Sequence, residues 1–406
     1  MTLEHIFGLT VSGLTVGMIY ALIALGYTMV YGVLQLINFA HGEVFTIGGY
    51  IAASTLIWIG VDATTPLAVK FAYFGLALLV SLVLTATLGF LIERIAYRPL
   101  RNRSRIIALL SAIGTSIFLQ NLLVIVFGPQ PIIMPTAVVP TGFVEIFGAR
   151  IRVLQITIIV VSLLLMALLT WIVKGTRMGK AMRATSQDRE AAEMMGIETN
   201  LTISFTFVVG SALAAIGGFL VAMYYGSLQF NTGFLYGLKA FTAAVLGGIG
   251  NIPGAVVGSL VLGLAENWGV GLNLGVLAWL FVGGLLLGLY FQLVRAPRFR
   301  IDHIAEEFRT PAYERRVRDV YRFAPVVALK TLFAERTDAL LYVSAQHAVR
   351  LTAANVILLG LAVLFFVNGD VQFASKWQHV ISFAVLMAIL MFRPSGILGE
   401  HIQEKV

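Results

Sequence analysis

Long apolar runs separated by short polar stretches dominate the chain. With about 20 apolar residues needed for a helix to cross a bilayer, they predict spans at 8–34, 68–92, 106–127, 152–173, 201–225, 271–292, 350–367 and 376–392. Two stretches interrupt the pattern. Only a short apolar piece, 44–60, follows the polar break Asn38-Phe39-Ala40-His41-Gly42-Glu43. The run 239–268 is cut by Gly247-Gly248-Ile249-Gly250-Asn251-Ile252-Pro253-Gly254, whose proline and glycines break a helix. The runs do not alternate apolar and polar residues as membrane-barrel strands do. Lipid offers the backbone no hydrogen-bond partners, so helices that satisfy their own amides are required. The expected fold is all-α, a polytopic transmembrane helix bundle with re-entrant or broken helices.

Composition strengthens this picture. The chain is 59% hydrophobic and 12% charged, with a mean hydropathy of +0.90, against about half apolar and a quarter charged in soluble domains. A formal net charge of +8 raises nucleic acid as a partner, but 20 of the 28 Lys and Arg fall in 94–105, 174–189 and 295–336. Basic loops between spans are retained on the cytoplasmic face, and no nucleic-acid recognition module accompanies them. There is no cysteine, which excludes disulfides, thiolate metal sites and cysteine nucleophiles. Met1 to His5 lacks a basic stretch and the apolar run after it is long, so a cleaved signal peptide is not expected.

With the basic loops as cytoplasmic points, 106–127 and 152–173 form a hairpin whose loop, 128–151, lies outside. Span 201–225 then exits and 271–292 re-enters, leaving 239–268 no net crossing. Two half-helices entering and leaving from the outer side satisfy this, with the Gly-Pro break as their turn. Irregular backbone at membrane depth survives only when buried in protein or lining a cavity. Gly250, Asn251 and Pro253 are therefore candidates for the translocation path. Gly13 with Gly17, Gly250 with Gly254 and Gly258, and Gly284 with Gly288 stand four apart, the small-residue spacing of close helix interfaces.

The most informative polar stretch is 179–197. Ser186 can cap a short helix, Arg189 to Met195 form its body, and Gly196 supplies a left-handed end. Such a helix suits either docking into a groove on another protein or plain solvation. Asn38, His41 and Glu43 lie between apolar segments, where ionisable groups are costly and often functional. They either hold the break or line the path, and one His and one Glu make a poor metal set. Glu266 and Asn267 end the broken segment near the outer surface, where they either terminate a helix or meet a zwitterionic solute or a docked binding protein. The stretch 295–338 holds ten basic and seven acidic residues, including Arg315-Arg316-Val317-Arg318. It reads as a solvated helix pair, or as a contact for anionic membrane lipid or a partner. No G-x-x-x-x-G-K-[ST] nucleotide motif occurs.

Glu190-Ala191-Ala192 followed by Gly196 resembles the EAA-x-x-x-G coupling loop of importer permeases. With Ile19 to Glu43, Phe241 to Asn267 and Phe392 to Gly399, the chain resembles the branched-chain amino-acid ABC transporter permeases over residues 1 to about 270 and 375–406. The resemblance implies a permease core at 1–270 with a coupling loop at 174–200. It also implies an inserted hairpin at 271–374 carrying the charged loop 295–338, and a last span with tail at 375–406. It assigns ATPase coupling to Arg183, Asp188, Glu190, Ala191, Ala192 and Gly196. Implied partners are a second homologous permease subunit, two cytoplasmic ATPase subunits that bind ATP and Mg, and an extracytoplasmic solute-binding protein, at a bacterial inner membrane. The chain itself is expected to hold no cofactor and to be no enzyme. The implied solutes are leucine, isoleucine and valine, while related permeases carry urea, amides or other small amino acids. An ion-coupled secondary carrier, needing carboxylates within the spans, is the rival class.

Overall fold

The computed structural model describes residues 3–36, 38–62, 64–101, 103–271, 274–297, 311–322, 339–367, 380, 383–387, 389 and 396–398. They fall into two compact units, 1–269 with 378–406, and 270–377.

The first unit begins with α1 (Leu3–Leu34), α2 (His41–Ile59), α3 (Leu67–Ile92), α4 (Arg105–Phe127) and α5 (Val153–Gly175). Two short helices, α6 (Arg177–Gln187) and α7 (Arg189–Met194), precede α8 (Thr199–Tyr225), α9 (Thr232–Gly247) and α10 (Ile252–Gly271). Among the described residues seven helices are long and apolar enough to cross a membrane, and the pair α9 and α10, bent by 118°, makes an eighth span or a re-entrant loop. The predicted span 376–392 lies largely outside the described residues.

One expectation needs correction. The apolar piece expected at 44–60 after the polar break is part of a 19-residue helix, α2, that starts at His41 inside that break and ends at Ile59, with Gly60 as its left-handed cap. The break moves to 35–40, entered through Gln35 at φ 53°. Its first turn is polar in sequence, yet His41 and Glu43 are both 1% exposed. Tertiary packing, not apolar patterning, holds that turn in a helix.

Both ends of the bundle are tied by contacts. At one end, strand β1 (Ile132–Ile133) pairs with β4 (Ser227–Leu228), which follows α8. The hairpin of β2 (Phe143–Ile146) and β3 (Ala149–Arg152) presents Phe147 to Phe7, with ring centroids 5.4 Å apart. The loop 128–152, the exit of α8 and the start of α1 therefore share one end. At the other end, Arg101 donates to Asn200 Oδ1 at 2.8 Å and is ion-paired to Glu93, which accepts from Ser204 at 2.6 Å. Burial pushes the Arg101 guanidinium down to about 10 against the opposing pull of Glu93. This is the basic end, and the positive-inside rule makes it cytoplasmic.

Small residues let the backbones meet. A methyl group on Gly13 or Gly17 would stand 3.0 Å from the α10 backbone at Leu264 or Leu260, and one on Gly254 would stand 3.0 Å from the Gly247 carbonyl carbon. Gly250, by contrast, faces open space at φ 91° and serves the turn.

The second unit contains α11 (Leu274–Tyr290), α12 (Pro311–Arg322) and α13 (Ala339–Val367). Val317, Val320 and Tyr321 of α12 are buried with Ala296 and Ala348, while Arg315, Arg316 and Arg318 are exposed. Gln292 bonds Thr352 at 3.0 Å and Asn355 at 2.7 Å. Gly284 and Gly288 face Leu358 and Asn355 across this helix pair.

Candidate functional site

The predicted residues fall into two groups, one at the cytoplasmic end and one in the interior. The first is the elbow of α6 and α7. Thr176 caps α6 by accepting from the Gly179 amide at 3.0 Å. Asp188, extended at φ −155°, caps α7 by accepting from the Ala191 amide at 3.0 Å. The expected cap, Ser186, sits instead in the last turn of α6 and donates to the Arg183 carbonyl at 2.7 Å. A carboxylate suits the positive helix end better than a hydroxyl. Asp188→Ala is expected to cost α7 about 1 kcal/mol, read as faster amide exchange over 189–196, with Ser186→Ala leaving the rate unchanged.

The end of α7 is also closed. Gly196 at φ 81° lets its amide reach the Glu193 carbonyl and the Ile197 amide reach Ala192, each at 3.0 Å. Thr199 and Arg189 both bond Glu193 and hold its carboxyl below the usual carboxylate range, the Thr199 hydroxyl contributing most. Ala192 is buried and Ala191 half-buried, while Arg183, Asp188, Glu190 and Gly196 are exposed. Arg183 spends its guanidinium on the Val173 carbonyl, fastening α6 to α5. Met194 and Met195, expected only as part of the helix body, are 81% and 83% exposed on this polar elbow. Two adjacent methionines in water beyond the apolar spans were the signal.

A cleft of about 90 Å³ separates α6 from the turn between α9 and α10, lined by Thr28, Gly32, Met182, Arg183, Ser186 and Gly250. That turn is closed from two sides. Asn251 caps α10 through its carbonyl to Ala255 at 2.9 Å and its side chain to Gly254 at 3.3 Å, with Pro253 in the first turn where no amide is missed. The tail supplies the rest: the Ile397 and Leu398 amides donate to the Leu246 and Gly247 carbonyls at 2.8 and 3.0 Å, and Asn251 donates to the Leu398 carbonyl at 2.8 Å.

The second group lies inside the bundle. The His41 ring packs on Gly26, eight residues before the end of α1, so α2 starts about 12 Å inside that end. Asn38 accepts from the Tyr97 hydroxyl at 2.9 Å, and His41 stands 4.9 Å from the Tyr27 ring. The first turn of α9 also starts in the interior, with Gly233 and Gly237 against Gly42. Glu43 accepts from Ser116 at 3.4 Å through one oxygen, and its other oxygen, without a partner, lies beside Gly233. Its carboxylate thus sits between the positive ends of two helices, each worth about 0.3–2 kcal/mol.

Glu266 is not at a helix end: α10 continues to Gly271, and Glu266 is fully buried. It accepts from Tyr20 at 2.8 Å and from Lys239 at 3.0 Å. Asn267 points elsewhere and donates to the Gly263 carbonyl of its own helix at 2.9 Å.

Multiple apolar spans, helices that begin inside the bundle and charges buried among them define a multi-pass membrane transport protein. Residues 9–290 match the family described as branched-chain amino acid transport system / permease component. The chain is 46% identical over 261 residues to the high-affinity branched-chain amino acid transport system permease protein LivH of Escherichia coli (strain K12), covering 63% of this chain and 83% of that protein. It is 48% identical over 272 residues to the corresponding protein BraD of Pseudomonas aeruginosa, covering 65% and 86%. The probable permease LivH of Methanocaldococcus jannaschii is 30% identical over 61% of this chain and 75% of its own length. No solved structure matches. The chain belongs to the branched-chain amino acid permease family, and the match takes in α11, beyond the expected limit at about 270.

Proposed function

We propose that this chain forms the translocation path of an ATP-driven importer for leucine, isoleucine and valine. It works with a second permease subunit, two cytoplasmic ATPase subunits that bind ATP and Mg, and an extracytoplasmic solute-binding protein. The observation that carries the proposal is the capped, solvent-exposed elbow of α6 and α7 at the basic end of a chain so similar to branched-chain amino acid permeases.

The elbow suits a docking role because its helices are short, each capped at its N-terminus, and fastened to α5, so a push on α7 is passed on rather than absorbed. The cleft beside α6 leaves room to move toward the turn of α9 and α10. Closing of the ATPases then favours one packing of the bundle over another, a population shift driven by differential binding. Arg183, Asp188 and Gly196 set the elbow's shape, while Glu190, Ala191 and Ala192 form its body. Asn38, His41, Glu43, Gly250, Asn251 and Pro253 belong to the broken segments that the shift would rearrange. The relatives give the urea, amide and ion-coupled readings no comparable support.

ATP-dependent leucine uptake by the complex in vesicles, with co-purification of ATPase subunits, tests the assignment. Glu190→Ala and Gly196→Val are each expected to cut uptake by about tenfold or more at unchanged insertion. Full uptake in both variants would remove the docking role.

A further inference from the structure

The pair Lys239 and Glu266 joins the two arms of the bent span. Lys239 lies on α9 and Glu266 on α10, 3.0 Å apart, with side chains 6% and 0% exposed. Tyr20 of α1 completes the group: it donates to Glu266 at 2.8 Å and accepts from Lys239 at 3.1 Å. Around them is a small apolar cluster formed by Val16, Tyr20, Ala243 and Leu262, which Tyr224 and Tyr236 join to the main core.

Strength alone does not account for the pair. Removing two charges from water costs several kcal/mol per ion, and well-packed apolar residues of similar volume often hold a buried interface as well or better. The two charges also sit on the two arms of a bent span, so any separation of the arms must pull them apart. An uncompensated charge would then be left in the membrane interior unless something of matching charge enters.

We propose that Lys239 and Glu266 form a partner-exchange site for a zwitterionic amino acid, an inference that rests on the importer reading. The solute's α-carboxylate takes the place of Glu266 on Lys239, and its α-ammonium takes the place of Lys239 on Glu266. Both charges stay paired, and their dehydration has already been met by the fold. The Tyr20 hydroxyl can donate to either carboxylate, and the surrounding apolar cluster receives an aliphatic side chain. A solute lacking either charge leaves one protein charge unpaired, so the site selects amino acids over amines and acids of the same shape.

The test uses the assembled importer in vesicles with radiolabelled L-leucine. In Lys239→Met with Glu266→Met, an apolar pair of similar length, insertion and subunit assembly are expected at the wild-type level with uptake at about one-tenth or less. Uptake above half the wild-type level would show that the pair only fastens α9 to α10. A second measurement does not depend on that variant folding. Because the chain has no cysteine, Ala243→Cys carries a single thiol within the cluster. Its labelling by a water-soluble thiol reagent during ATP turnover is expected to slow severalfold with leucine and not with isoamyl alcohol, which has the side chain without the charges. Labelling that ignores leucine, or no labelling during turnover, overturns the site. Absence of ATP-driven leucine uptake by the wild type would instead overturn the importer reading.

Discussion

Replacing Met194 and Met195 together by aspartate is expected to leave the chain in the membrane but strip it of its ATPase partners and of nearly all uptake. These side chains are more than four-fifths exposed, yet they lie on the elbow and not on a lipid-facing span. Burying each in a partner's groove is worth about 1.5–3 kcal/mol. Losing both, with charges added, weakens association by at least about 100-fold. Methionine also tolerates volume-conserving replacement, so the double leucine variant should keep most of its activity. Co-purification of the ATPase in wild-type amounts with the double aspartate variant would show that the methionines face no partner.

Gly42→Val is expected to have the largest effect on stability. A methyl group at Gly42 would stand 3.0 Å from the Gly237 Cα and 3.1 Å from the Gly233 carbonyl carbon. Backbone cannot rotate aside, so α2 and α9 must separate just where Glu43 lies between their ends. Overpacking of this kind costs about 1–3 kcal/mol, and a fall in melting temperature in detergent of about 1–4 °C should follow for a chain of this length. Gly114→Ala, on the exposed side of α4 with nothing within 4 Å of the added methyl, is the control and should be neutral or slightly stabilising. Equal melting of the Gly42 variant and wild type would mean that this close approach is not maintained in the membrane.

The two sites were legible in the sequence to different degrees. The elbow is local: its capping acid, alanine pair and terminal glycine lie within nine residues, from Asp188 to Gly196, although the sequence pointed to Ser186 and not to Asp188 as the cap. Long apolar runs and the glycine-proline break were equally plain, because helix length and backbone freedom are properties of neighbouring residues. The interior site was not. Tyr97 meets Asn38 across 59 positions, and Lys239 meets Glu266 across 27. Helix α2 was underestimated for the same reason, since its polar first turn is held by Tyr27, Gly26 and Gly42's neighbours on other helices. A lone lysine opening one half of a broken apolar run, with a lone glutamate near the end of the other, was the available hint.

The hydrogen bonds from Ile397 and Leu398 to the end of α9 bear on the order of assembly during synthesis. Leu246 and Gly247 leave the ribosome about 150 residues before the amides that satisfy their carbonyls, an interval on the order of 10–30 s at ordinary elongation rates. Throughout that interval these two carbonyls lack their tail donors. A nascent chain that stops before the tail therefore leaves the bend between α9 and α10 without these donors and open to quality-control proteases.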